Sequence, residues 1–149
     1  MIIPLFGLAG QNKNSFEYNI SMKKARSAWE KQDFEKAARL LNGIYIRQNY
    51  NESVRYRLAL ALLFQKNKAV QKNNYLLAMK LLKQSIDELQ NLTHMKKELS
   101  LRYFYLGLVA WFSGNRSLAG RSFYQSYLYD PENKSAIYNF YAVNQEMSK

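Results

Sequence analysis

The sequence predicts an all-α protein of three helical hairpins followed by one further helix. Apolar residues recur along most of the 149-residue chain at the three- and four-residue spacing of amphipathic helices. Three small residues, Ala37, Ala78 and Ala119, follow one another at equal intervals in the sequence, which indicates a repeated unit. Only six glycines and two prolines interrupt the chain. Long helices in a single domain, residues 16–149, are therefore expected.

The first 15 residues are predicted to be an apolar arm that precedes this domain. The run MIIPLFGLAG is apolar, but it is much shorter than the roughly 20 residues that span a bilayer. No basic segment precedes it, so it is not a complete secretion signal. We expect the arm to pack on the first helices or on a partner. The alternative is a residual signal segment or contact with a membrane surface through residues 1–8.

The first hairpin is predicted over about residues 16–50. Ala25 and Ala37 are twelve positions apart, one on each helix, where a bulky side chain would hold two antiparallel helices apart. Gln32-Asp33-Phe34 forms the turn between these helices. Leu41 follows Ala37 by one helical turn and extends the apolar face of the second helix.

The second hairpin is predicted over about residues 52–90 and contains an insertion. Its small residues, Ala59 and Ala78, are nineteen positions apart, which places about seven additional residues within 65–74. This segment holds three lysines and no acidic residue, so it is expected to be an exposed basic loop or an exposed extension of the flanking helices. A further insertion is expected at residues 91–97.

The third hairpin, about residues 98–131, has the clearest pattern. Gly107 and Ala119 are again twelve positions apart, Ser113-Gly114-Asn115 forms the turn, and Asp130-Pro131 ends the second helix. Residues 134–147 are predicted to form a capping helix that covers the apolar face of this hairpin.

Residues 100–133 resemble a tetratricopeptide repeat. The resemblance lies in Leu106-Gly107, Gly114-Asn115, Ala119, Phe123 and Asp130-Pro131. The chain departs from the family pattern at Tyr103 and Ser126, where a different large aromatic and a different small residue are usual. The resemblance implies a right-handed α-solenoid of about three such hairpins plus a capping helix, with the first helix of each hairpin on the concave face.

The composition excludes several kinds of catalytic and metal-binding site. Cysteine is absent, and His94 is the single histidine, so thiol catalysis and Cys/His metal sites are excluded. The chain has no phosphate-binding loop and no dinucleotide-binding motif. A non-catalytic protein without a cofactor or a small-molecule substrate is expected.

The net charge of +11 favours acidic partners. Residues 1–75 hold 13 basic and 5 acidic side chains, whereas residues 76–149 hold 9 and 6. Acidic protein segments, nucleic acid and anionic lipids all fit such a charge. No base-reading motif accompanies it, so nucleic acid is the less favoured of these partners.

The register of the repeat predicts an apolar, aromatic groove with a basic rim on the concave face. The predicted partner-binding residues are Arg26, Trp29, Tyr56, Leu60, Leu63, Phe64, Phe104, Leu108, Trp111, Phe112 and Tyr138. Such a groove suits a helical or extended segment of another protein. The alternative is that most of these side chains are core, within the array or beneath the N-terminal arm.

Three functions compete at this point. The favoured one is a protein-interaction module, namely an adaptor, assembly subunit or chaperone. The others are a peripheral cell-envelope assembly protein that touches membrane through its arm, and a basic helical repeat protein that binds nucleic acid. The sequence leaves the compartment open between cytoplasm and periplasm or envelope.

Overall fold

The computed structural model describes residues 16–49, 52–67 and 70–147. Within these ranges the chain is all-α and forms seven α-helices, as predicted. They are α1 (Phe16–Glu30), α2 (Phe34–Ile44), α3 (Glu52–Phe64), α4 (Gln71–Leu89), α5 (Lys96–Phe112), α6 (Arg116–Tyr129) and α7 (Lys134–Met147). A π-helical turn, Tyr45–Asn49, extends α2. The predicted N-terminal arm lies outside the described residues.

Each helix packs against the next one along the chain in antiparallel orientation. The pairs α1–α2, α3–α4 and α5–α6 correspond to the three predicted hairpins, and α7 packs on α6. Contacts between α2 and α3 and between α4 and α5 join the hairpins in sequence. The fold is therefore dominated by contacts between neighbours in the sequence.

The turn between α1 and α2 ends one helix and begins the next with main-chain hydrogen bonds. The amide of Gln32 donates to the carbonyl oxygen of Trp29 at 2.9 Å, and the amide of Asp33 donates to that of Ala28 at 2.9 Å. The Asp33 carboxylate then accepts from the amide of Lys36 at 3.1 Å and caps α2. Gln32 adopts a positive φ of 61° to make this turn.

The turn between α5 and α6, two hairpins further along the chain, has the same pattern. The amide of Gly114 donates to the carbonyl oxygen of Trp111 at 3.1 Å, and the amide of Asn115 donates to that of Ala110 at 2.8 Å. The Asn115 side chain accepts from the amide of Leu118 at 3.1 Å. Gly114 has a φ of 88°. The two turns thus share caps and backbone conformation although their sequences differ.

The insertion in the second hairpin is partly a connection and partly helix. α3 ends at Phe64 and α4 begins at Gln71, so the last residues of the predicted insertion extend α4. Lys66 and Lys72 are exposed, as expected, whereas Lys68 lies outside the described residues.

The small residues lie where the helices of each hairpin approach one another. Gly107 on α5 is buried, and a Cβ atom added there would lie 2.6 Å from the ring of Phe123 on α6. The alanines of the predicted pairs are all fully buried: Ala25, Ala37, Ala59, Ala78 and Ala119. The spacing of small residues in the sequence therefore predicted the buried helix contacts.

Candidate partner-binding groove

The residues of the predicted concave face fall into two groups in the structure. Four are buried, namely Tyr56, Leu60, Leu63 and Phe104. The others reach the surface to different extents: Arg26, Trp29, Phe64, Leu108, Trp111, Phe112 and Tyr138. The four buried residues therefore do not line an open groove. For them, the alternative that the predicted residues belong to the core applies.

Aromatic contacts between α3, α5 and α6 account for part of this burial. The ring of Tyr56 lies 6.3 Å from that of Tyr105, which is itself almost inaccessible. Phe104 packs edge-on against Tyr105 at 5.5 Å and lies tilted against Phe123 at 5.7 Å. Such contacts are favourable for aromatic pairs and leave these rings no free face for a partner.

Trp29 and Phe64 also belong to this aromatic cluster. Trp29 packs edge-on against Phe34 at 5.2 Å and against Phe64 at 6.0 Å. Its indole is half-buried and contacts the turn that it helps to form, so it is a poor candidate for a partner anchor. Arg26 is exposed and pairs with Glu30 one turn further along α1, at 3.1 Å.

An open groove is present at the C-terminal end of α5, between α5 and α7. It has a volume of about 410 Å³. Three of the predicted residues, Leu108, Trp111 and Phe112, form one wall. Phe123 lies at the base, and the lining residues of α7 are Asn139, Ala142, Val143, Gln145 and Glu146. Tyr138 is 73 % exposed but is not among the lining side chains.

Sequence reasoning missed the polar wall formed by Gln145 and Glu146. The resemblance of residues 100–133 to a tetratricopeptide repeat offers a signal for it, because such a repeat has a length of about 34 residues. Moving by that length from Trp111 and Phe112 leads to these two positions on α7. They would have been identified if α7 had been treated as the first helix of another repeat and not only as a cap.

A basic side chain lies beside the groove. The guanidinium carbon of Arg116 is 5.1 Å from the ring centre of Trp111, within the range of a cation–π contact. Its Nη1 atom lies 3.6 Å from Oε2 of Glu146, and both side chains are about half exposed. An exposed pair at this distance contributes little to stability. Arg116 can therefore exchange this carboxylate for one on a bound segment at small cost.

Phe112 separates this groove from a second hollow on the α4 side. Its side chain is 55 % exposed and stacks on the ring of Tyr75 at 6.0 Å. The second hollow, of about 400 Å³, is lined by Phe112, Tyr75, Leu76 and Lys72, with Gln71 and Ser113. Phe112 is thus the most accessible aromatic side chain of the predicted groove on α5.

A buried ionic cluster connects α3, α4 and α5. Arg102 donates to the Glu52 carboxylate at 2.7 and 2.9 Å and to Oγ of Ser85 at 3.2 Å, while the Ser85 hydroxyl donates to Glu52. The Arg102 guanidinium lies 3.7 Å above the ring of Tyr56. Burial raises the pKa of the Tyr56 hydroxyl. The cluster joins α3, α4 and α5 through buried polar contacts.

Two more arginines of α3 are buried beside this cluster. Arg55 forms an ion pair with Glu88 of α4. Arg57 is 3 % exposed, and its removal from water lowers the pKa of its guanidinium to about 10. The sequence did not predict the burial of these arginines, because arginine is usually exposed.

Neither a metal-binding cluster nor a membrane-spanning helix is found among the described residues. Within 16–49, 52–67 and 70–147, no group of three or more His, Asp or Glu side chains could hold a metal ion. None of the helices in those ranges combines the length and the apolar character needed to cross a bilayer. His94 is exposed between α4 and α5.

Comparison with protein-family models and with curated proteins gave no match. A function is therefore inferred from the geometry of the groove.

Proposed function

We propose that this chain is a non-catalytic interaction module that binds a short segment of a partner protein in the groove between α5 and α7. It would serve as an adaptor, an assembly subunit or a chaperone. The observation that carries the proposal is the open hollow of about 410 Å³ lined by Leu108, Trp111 and Phe112. Aromatic side chains at the centre of a concave surface are typical anchors of protein–protein contacts.

The proposal includes the architecture, a right-handed tetratricopeptide-like solenoid of three hairpins and a capping helix. The turns of the first and third hairpins share their hydrogen bonds, their caps and a positive φ at Gln32 and Gly114, which supports a repeated unit. The buried small residues at regular spacing support it further. In such an array, the groove lies on the face formed by the first helices of successive hairpins.

The lining residues favour an amphipathic segment with both apolar and acidic side chains. Trp111 and Phe112 would contact the apolar side chains, as in helices that bind in grooves. Arg116 beside Trp111 and Lys72 beside Phe112 would contact carboxylates at the two ends of this wall. The excess of basic residues in the whole chain would attract the same segment from a distance.

A displayed library of helical peptides tests this proposal directly. We expect the full-length protein to select peptides that carry an apolar pair one helical turn apart with acidic residues nearby. Phe112→Ala should weaken binding of these peptides about ten- to a hundredfold, because burial of such a side chain contributes roughly 1.5–3 kcal/mol. Affinities are measured by titration with the labelled peptides.

Leu128→Ala is the matched control, because Leu128 is an exposed apolar residue on α6 that does not line the groove. It should leave the affinity unchanged. Thermal unfolding of both variants verifies that the fold is retained. Peptides that bind equally well to Phe112→Ala, or that lose binding in Leu128→Ala, would place recognition elsewhere and contradict the proposal.

A further inference from the structure

The lining of the groove between α5 and α7 carries a negative charge. Within the described part of the chain, Glu146 of α7 is the only charged side chain that lines this groove. A carboxylate at this position disfavours an acidic segment in the groove, because like charges repel one another. Acceptance of such a segment therefore depends on how the charge of Glu146 is balanced.

The Glu146 carboxylate contacts the start of α6. Its Oε2 atom lies 3.6 Å from Nη1 of Arg116, which is the first residue of that helix. The guanidinium of Arg116 lies 5.1 Å from the ring centre of Trp111, so the cation is beside the wall of the groove. The N-terminus of a helix carries a partial positive charge that also favours an anion. Arg116 and the start of α6 thus form an anion-binding position, and Glu146 occupies it.

The contact between Arg116 and Glu146 is weak. Both side chains are about half exposed, so water screens their attraction. Their separation of 3.6 Å is longer than the roughly 2.7–2.9 Å of a charge-assisted hydrogen bond. Glu146 also lies in the last turn of α7, where the partial negative charge of the helix C-terminus disfavours a carboxylate. A carboxylate from another chain can therefore replace that of Glu146.

We propose that Glu146 is a tethered competitor for Arg116, which an acidic side chain of the bound partner segment displaces. This inference rests on the proposed binding of an acidic, amphipathic segment in the groove. Displacement sacrifices the contact between Arg116 and Glu146, so the partner's carboxylate increases the affinity less than it would without Glu146. The apolar contacts with Trp111 and Phe112 then supply most of the affinity. Glu146 thereby limits the attraction of acidic chains that lack an apolar anchor.

Peptides from the displayed library test the role of Glu146 in the full-length protein. Each peptide is made with its acidic residues intact and with these residues changed to the corresponding amides. Glu146→Gln should bind the acidic forms about two- to fivefold more tightly, in line with the strength of an exposed ion pair, and should bind the amide forms unchanged. Absence of this gain would overturn the proposal.

Glu132→Gln is the matched control, because it removes the same charge from an exposed position in the turn between α6 and α7. It should leave the affinities for both forms unchanged. An equal gain in Glu132→Gln would show that net charge alone is responsible and would overturn the proposal. In an Arg116→Gln background, Glu146→Gln should lose most of its effect. A full gain there would show repulsion without competition and would also overturn the proposal.

Tetraglutamate probes the anion-binding position without an apolar anchor. Its addition should shift the side-chain Nε–Hε resonance of Arg116, at about two- to fivefold lower concentration in Glu146→Gln than in the unchanged protein. Equal concentrations in the two proteins would overturn the inference. A shift as expected, combined with peptide binding that Phe112→Ala does not weaken, would contradict the proposed function alone and leave the competition at Arg116 supported.

Discussion

At the scale of single residues, Gln32 has the most strained backbone among the described positions that carry a Cβ atom. Its φ of 61° lies in the left-handed region, which costs such a residue roughly 1–2 kcal/mol. Gly114 has the equivalent place in the later turn, with a φ of 88°. The first hairpin therefore tolerates a strained residue where the third has glycine.

We predict that Gln32→Gly raises the free energy of unfolding by about 0.5–1 kcal/mol, since relief of strain exceeds the entropy that glycine gains in the unfolded chain. Gly114→Ala should lower it by about 1 kcal/mol, although an added Cβ at Gly114 would meet no neighbour. Urea denaturation measures both changes. The control Gln32→Ala retains a Cβ atom and should change little; a loss of stability in Gln32→Gly would contradict this account.

The sequence predicted a turn at Gln32-Asp33-Phe34 but did not predict that Gln32 would adopt the left-handed conformation of Gly114. The conformation is maintained because the amides of Gln32 and Asp33 donate to two carbonyl oxygens at the end of α1. The conformational preference of glutamine alone does not include these bonds.

At the scale of helix pairs, Gly107 and Phe123 are complementary in size. A Cβ atom on Gly107 would lie 2.6 and 2.7 Å from the Cε1 and Cδ1 atoms of Phe123, whose side chain is almost fully enclosed. In the first hairpin, Ala25 corresponds to Gly107 and Leu41 corresponds to Phe123. The first helix thus has a larger residue there than in the third hairpin, and the second helix has a smaller one. Close packing requires this compensation.

We predict that Gly107→Ala lowers the stability of the protein by about 1–3 kcal/mol, because the added methyl group would overlap the ring of Phe123. Combining it with Phe123→Leu should recover part of this loss, since the pair then matches that of the first hairpin. A double-mutant cycle by chemical denaturation measures the coupling, with an expected favourable interaction of at least about 0.5 kcal/mol. Strictly additive losses would show that the two residues do not compete for space.

Helical periodicity predicted the faces of α3 and α5 but not how fully each is covered. The spacing of Tyr56 and Leu60 places them together on one side of α3, and the same spacing fits both an open groove and a core. Burial is decided by elements far away in the sequence, as for Arg102 of α5 and Glu52 of α3, which form an ion pair across two helices. Periodicity alone therefore could not separate the buried positions of α3 from the exposed Phe112 in the last turn of α5.

At the scale of the whole molecule, the net charge of +11 overstates the cationic surface. Arg55, Arg57 and Arg102 are buried, and two of them form ion pairs with Glu88 and Glu52. The exposed basic residues of the described helices are distributed over α1, α2, α4, α5, α6 and α7. Basic residues that are spread over several helices, and not clustered in one basic motif, favour weak attraction of polyanions.

We therefore predict weak association with single-stranded oligonucleotides that is insensitive to sequence and disappears with salt. If six or more phosphates are neutralised, the affinity should fall on the order of a thousandfold between roughly 50 and 200 mM salt. Heparin should compete fully, because the attraction depends on charge alone. Phe112→Ala, which removes the exposed ring without changing the charge, should leave this association intact while it weakens peptide binding, and fluorescence anisotropy measures both. Tight binding at about 200 mM salt with a clear base preference, lost in Phe112→Ala, would instead identify the groove between α5 and α7 as a stacking site for bases.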